Sequence, residues 1–160
     1  SLARTFAAPP EPEAIGVTPD GLEVWIGSNE EGTVSVLRPA SERPSPEPAL
    51  EGFGWPYRIL FTPDARLALI PDLRRHELRI VDRASRSELA RLEFPDAGPQ
   101  GIALAGERFA LLSLSRRANV ALIDLETREV VRTIDVGESP DGIAWTSRTG
   151  LARPGPSAVH

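Results

Sequence analysis

The chain has 160 residues, of which 41% are apolar, 26% charged and 6% aromatic, enough for one domain with its own core. Twenty-three acidic residues against 18 basic ones give a net charge of −5, which weighs against nucleic acid as a partner, because phosphate binding needs a basic surface. There is no Cys, no Lys and only two His, which removes disulfides, thiol catalysis, a phosphate-loop lysine and a Schiff-base cofactor and nearly excludes a structural zinc site; no apolar run exceeds four residues, too short for a membrane span.

In chain order, the first segment is LARTF (Leu2 to Phe6), with Arg4 eight residues before Pro12. The same spacing recurs in ELARLEF (Arg91 to Pro99) and VVRTIDV (Arg132 to Pro140), so residues 1–8 read as the last strand of a repeat whose beginning is absent. The next unit, 12–54, starts with EAIGVTPDGLEVWIGS and continues through VSVLR (Val34 to Arg38). Its outer strand is expected near Pro46 to Glu51, in a proline-rich stretch that suits a solvent-facing edge. A proline-rich ligand for an aromatic groove is the functional alternative for that stretch.

Unit 55–97 repeats the pattern as YRILFTPDARLALIPD, LRIVD and ELARLEF, and unit 98–138 as GIALAGERFALLSL, VALID and VVRTIDV. GIAWTSRTG begins a fourth copy, with its first strand expected across 139–146, and 147–160 reads as an irregular tail. The repeat prolines, Pro12, Pro56, Pro99 and Pro140, stand 44, 43 and 41 residues apart.

Each unit therefore carries four short apolar segments separated by turn chemistry, such as Pro19-Asp20-Gly21 and Pro63-Asp64-Ala65. Val, Ile, Leu and Phe suit strands, and no segment holds a helical period long enough to compete. Adjacent apolar pairs (Ile80 with Val81, Leu111 with Leu112, Leu122 with Ile123) suit sheets covered on both faces. Four-stranded antiparallel units of this length point to an all-β fold of β-propeller blades. The tally is about three and a half blades, an incomplete arc of a ring of about seven. Its end faces are expected to be covered by the remaining blades of a larger propeller or by a second copy of the chain. The absence of an initiating Met and a start inside a strand favour the larger propeller.

On the repeat prolines, the VTPDG and FTPDA turns and the VSVLR, LRIVD and VALID strands, residues 2–146 resemble the YVTN-family β-propeller repeats. The namesake tetrapeptide is degenerate here: WIGS, LIPD and LLSL. The resemblance implies a non-catalytic scaffold, often periplasmic or at the cell surface, that presents channel-mouth loops to a protein or small ligand. It also admits an alternative, part of a propeller enzyme (lactonase-like, or a haem- or quinone-dependent redox subunit) whose catalytic blades lie outside this chain.

The loops expected at the channel mouth are 52–55, 95–100 and 137–141, with 28–33, 72–77 and 115–119. Arg74, Arg75 and His76 occupy the same place in one unit as Arg116 and Arg117 in the next. Arginine grips carboxylate or phosphate, so these residues are the candidate anion site; the competing reading is solvated turn residues facing Glu30, Glu31 and Asp72. Trp55, just before a repeat proline, is the candidate stacking contact, whereas Trp25 and Trp145 are expected between blades. Asp82 and Asp124, at strand ends, are expected to accept hydrogen bonds inside the following turn. No catalytic residue, metal ligand or cofactor is assigned.

Overall fold

In the computed structural model, residues 4–147 are described. Turn chemistry cuts them into twelve strands and no helix. These are β1 (Pro12–Val17), β2 (Val24–Ser28), β3 (Thr33–Leu37), β4 (Glu47–Leu50), β5 (Leu60–Phe61), β6 (Leu67–Asp72), β7 (Glu77–Asp82), β8 (Glu88–Glu93), β9 (Pro99–Ala105), β10 (Phe109–Leu114), β11 (Asn119–Asp124) and β12 (Glu129–Asp135). They form three antiparallel four-stranded sheets, each a meander in sequence order. This is the expected all-β architecture of propeller blades. Three sheets fall short of the four to eight blades of a closed ring.

The turns show why the repeats align. Thr18 Oγ1 donates to Asp20 Oδ1 at 2.6 Å, and that oxygen also accepts the Leu22 amide at 3.0 Å. In the second blade, Thr62 and Asp64 repeat both bonds at 2.6 and 3.0 Å. At the other turns of the same end, Asp82 accepts from Ser85 and Asp124 from the Glu126 and Thr127 amides, as expected for an Asp closing a strand. The proline-rich stretch does hold an outer strand: Pro48 lies opposite Ser35 on the far side of β3, where a missing amide leaves only the solvent edge unpaired.

The blades stack face to face. Ala14, Trp25, Val34, Val36 and Leu50 of the first pack against Ile59, Phe61, Ala68, Ile70 and Val81 of the second. Leu69, Leu78 and Ile80, on the opposite face of the second sheet, pack against Ala110, Leu112, Ala121 and Ile123 of the third. The middle sheet is thus buried on both sides, which is why Ile80 and Val81 can both be apolar. In the third blade, Leu112 and Ile123 are buried while their neighbours Leu111 and Leu122 are only half-buried, because their face has no further sheet against it. At the other end, Ile15 and Val17 are 61% and 58% exposed.

Three expectations fail. Residues 139–146 were expected to form a strand, and residues 140–147 lie in none. The segment still runs where a next inner strand would: Ser113 Oγ donates to the Asp141 carbonyl at 2.8 Å. That carbonyl also crowds Gly101 much as the Ile59 carbonyl crowds Gly16. An inner strand is held by the second strand of its own blade, and without that ladder the segment stays irregular. For the same reason Trp145 is 48% exposed rather than packed between blades, whereas Trp25 is fully buried as expected. Likewise, the described part of residues 1–8 carries no strand; Arg4 reaches the Pro39 carbonyl at 3.1 Å. The tail expected to be irregular lies outside the described residues, apart from residue 147.

An ionic cluster ties the first two blades together. Glu23, 7% exposed, accepts from Trp25 Nε1 at 3.1 Å, Arg38 at 3.0 Å, Arg86 at 2.6 Å and Arg83 at 3.3 Å. Arg83 also reaches Asp20 at 2.7 Å, and the Arg86 guanidinium lies 4.5 Å over the Trp25 ring. Burial alone would push the Glu23 carboxyl up, but the Trp25, Arg86 and Arg83 donors hold it below its ordinary 4.5. Thr18 and the Leu22 amide, with Arg83, hold Asp20 at about 2. Asp64, Asp82, Glu88 and Asp124 are lowered too, and Glu77 is raised, by burial.

A carboxyl lowered by folding adds stability above its unfolded value and loses it as pH falls through its folded value. Glu77, raised, works the other way and adds stability as it takes up its proton, but the six lowered carboxyls outweigh it, so stability should fall steadily from about pH 5 toward about pH 2. Glu23→Gln should make that fall shallower in urea titrations at a series of pH values. An unchanged slope would remove Glu23 from the acid response.

Candidate functional site

The loops between strands converge at one end of the arc, held by the chain's own polar groups. Asp72, fully buried at the end of β6, is the main fastener. Its carboxylate accepts the amides of Gly54 (2.6 Å), Trp55 (2.9 Å), Arg74 (3.1 Å) and Arg75 (2.9 Å). One side chain therefore fixes the loop entering the second blade and the β6–β7 turn together. Around it, Leu73 donates to the Trp55 carbonyl, Phe94 to the His76 carbonyl, and Ser115 and Arg116 to the Gly98 and Ala97 carbonyls. Gly98 adopts φ 64 against Ser115 and Arg116, a conformation and a closeness that a side chain would not allow.

The six expected residues fall into two groups on this end. Trp55 Nε1 donates to Glu13 at 2.6 Å, the same oxygen takes Asn29 at 2.7 Å, and Arg74 lies 5.4 Å over the indole. Trp55 is thus pinned between the first two blades. His76, half-buried with φ 58, accepts the Gly98 amide on Nδ1 at 3.3 Å. That places its proton on Nε2, which faces Asp96 at 4.0 Å and Arg116 at 3.5 Å. Arg117 donates to the Pro95 carbonyl. Arg75 and His76 border a cleft of about 340 Å³, and Arg116 and Arg117 one of about 690 Å³ shared with Gln100 and Glu138.

The described arginines divide into those that pair with a carboxylate and those that do not, and the four at this end share the second set with Arg4, Arg43, Arg58, Arg66, Arg128 and Arg132. Arg38, Arg79, Arg83, Arg86, Arg91 and Arg108 all pair with a carboxylate within 4 Å. Among the described residues, no such pair is formed by Arg74, Arg75, Arg116 or Arg117. Asp72, expected as a solvated counter-charge, spends its oxygens on backbone amides instead.

Sequence reasoning left out Glu13, Asn29, Tyr57 and Asp141 as site residues, and gave Asp72 the role of a counter-charge rather than a fastener. Tyr57 follows a repeat proline, and its hydroxyl stands 3.5 Å from Asp141 across the inner side of the arc. Burial first, and then the Asp141 charge, push its phenol above the usual 10. A signal for Asp72 was present in the polar close of two of the three degenerate tetrapeptides, WIGS and LIPD: Ser28, at the matching place in the first blade, donates to the Pro10 carbonyl at 2.6 Å and accepts the Glu31 amide. Glu13, Asn29 and Asp141 had no such mark, because their partners lie 16 to 84 residues away.

No family model matches the chain, and no curated protein matches it. Many solved structures do. Kuenenia stuttgartiensis hydrazine synthase matches with a TM-score of 0.70 and 20% identity, over 84% of this chain and 39% of that one. A catalytically inactive virginiamycin B lyase from Staphylococcus aureus, in complex with quinupristin, matches at 0.68 and 14%, over 82% and 44%. The RRP9 WD40 repeats match at 0.66 and 14%, over 81% and 40%. The chain thus spans less than half the length of each. At these identities the likeness is one of fold: the chain is built of β-propeller blades, in the architecture shared by enzymes and repeat scaffolds.

Proposed function

We propose that this chain is an arc of a YVTN-like propeller of about seven blades, acting as a non-catalytic scaffold. Its channel-mouth loops bind a carboxylate- or phosphate-bearing group of a small ligand or a protein, and its end faces meet the remaining blades or a second copy. The observation that carries the ligand reading is the set of unpaired guanidinium groups, Arg74, Arg75, Arg116 and Arg117, on loops fastened by buried hydrogen bonds. A guanidinium held without a counter-ion is ready to take a bidentate anion. The YVTN resemblance, with its periplasmic or surface setting, rests on the repeat residues alone.

Titration with citrate and with inorganic phosphate, followed by amide chemical shifts, tests it. Saturable shifts at residues 74–76 and 115–118 are expected. The double substitution Arg116→Gln, Arg117→Gln should weaken binding at least about tenfold, the equivalent of one charge-assisted hydrogen bond. The exposed, distant Arg128→Gln should change nothing. Shifts spread evenly over all arginines would sink the reading.

Two of the similar structures bear enzyme names, which supports the alternative of a propeller enzyme whose catalytic blades lie elsewhere. In this arc such chemistry would have to recruit His76, whose Nδ1 is engaged by Gly98.

A further inference from the structure

The two blade junctions differ at the end of the arc opposite the channel-mouth loops, and the difference changes the lining and charge of the cleft at each. At the first junction, Arg83, from the β7–β8 turn, lays its guanidinium on Asp20 Oδ2 and Glu23. The repeat register pairs Leu67 with Asp82, Phe109 with Asp124 and Val24 with Leu37. By that register the second junction has Leu67 in place of Glu23, Leu125 in place of Arg83 and Asp64 in place of Asp20. The backbone is the same: Arg83 donates to the Arg66 carbonyl and Leu125 to the Arg108 carbonyl, both at 2.8 Å.

So the position that holds a guanidinium at one junction holds none at the other. Each junction carries a cleft: about 470 Å³ at the first, lined by Glu23, Arg83 and Arg86, and about 430 Å³ at the second, floored by Leu67 and Leu125 and rimmed by Asp64, Glu107, Glu126, Arg66 and Arg108. The second has the volume of a small-ligand site. Asp64 keeps Oδ1 on Thr62 and the Arg66 amide, as Asp20 does on Thr18 and the Leu22 amide. Its Oδ2, the counterpart of the oxygen that takes Arg83, meets no donor among the described residues. Of the two arginines at the rim, Arg108 is committed to Asp124 at 2.6 Å and also reaches Glu126 at 3.7 Å, while Arg66 forms no ion pair within 4 Å among the described residues and its charge helps lower the Asp64 carboxyl. Asp64 and Glu107 against Arg66 leave the balance acidic by one charge above an apolar floor.

We infer that this inter-blade cleft binds an arginine side chain of a partner polypeptide, its aliphatic stem on Leu67 and Leu125 and its guanidinium on Asp64. The first junction shows the chemistry already in place within the chain: a guanidinium on the same turn carboxylate. The cleft lies away from the channel-mouth arginines and takes the opposite charge, so it stands or falls independently of the anion reading.

The test titrates the whole chain with the peptide acetyl-Gly-Arg-Gly-amide and with its citrulline counterpart, neutral and nearly the same shape, following backbone amide shifts. Saturable shifts confined to residues 62–67, 107–108 and 125–126 are expected, with citrulline at least about tenfold weaker. Leu125→Arg, which supplies the missing guanidinium from within, should abolish the shifts. Asp64→Asn, a surface change, should weaken them to the citrulline level and serves if Leu125→Arg does not fold. Equal shifts with citrulline, shifts centred elsewhere, no saturable shifts, or undiminished binding by Asp64→Asn would overturn the assignment.

Discussion

Asp72→Ala should cost about 3–4 kcal/mol and release two loops at once, because it leaves several buried amides without an acceptor at ~1–3 kcal/mol each, offset in part by water entry. The carboxylate accepts four backbone amides and is fully buried. The effect should also be local. Amide exchange at residues 54–55 and 74–75 should accelerate beyond the global unfolding rate, while exchange in β9–β12 tracks the global loss. Asp72→Asn should fall between the two, since one amide oxygen still accepts while its NH₂ opposes a donor. If Asp72→Ala unfolds no more easily than the wild type, the fastening of the channel mouth is misassigned.

Trp25→Ala should cost about 4–5 kcal/mol, the upper range for a buried aromatic truncated in a core. Trp25 is fully buried, meets Phe61 edge-on with ring centroids 5.1 Å apart and donates to Glu23. It also carries the Arg86 guanidinium on its ring. Removing it opens a cavity between the first two blades and strips the ionic cluster of its aromatic wall. Trp25→Phe should recover much of the cavity term but not the hydrogen bond, and so cost roughly 1–2 kcal/mol. Denaturant midpoints at neutral pH measure both. A loss under about 2 kcal/mol for Trp25→Ala would mean that the first junction contributes little to the fold.

The sheets were legible in the sequence because their signals are local and repeated. Thr-Pro-Asp turns, strand-closing Asp82 and Asp124, and paired apolar positions each act within a few residues and recur at one spacing. The second sheet, covered on both faces, matches its apolar pattern most closely. The pattern misled where burial depends on a neighbour. Trp145 has the residue type of a blade core but no adjacent strand to lie on, and it is exposed. The segment around Asp141 has the sequence of an inner strand without the ladder that would hold one.

The site was half legible. Arg74, Arg75, His76, Arg116 and Arg117 showed themselves by charge and by equivalent repeat position, and the structure gathers them at one end. What composition could not tell was which arginines are neutralised. Arg83 and Arg86 look no different in sequence, yet both rest on Glu23, 60 and 63 residues away. The apolar floor of the second inter-blade cleft was equally hidden, since it comes from a Leu standing where the preceding repeat has an Arg.

The blades form an arc whose end faces leave Ile15 and Val17 exposed at one side and Leu111 and Leu122 only half-buried at the other. Solution mass by light scattering on a size-exclusion column, at two protein concentrations, reads whether those faces meet a partner. A mass above that of one chain is expected, either a concentration-independent dimer or a distribution that grows with concentration. A folded, monodisperse single chain at both concentrations would mean that the end faces stand uncovered in solution.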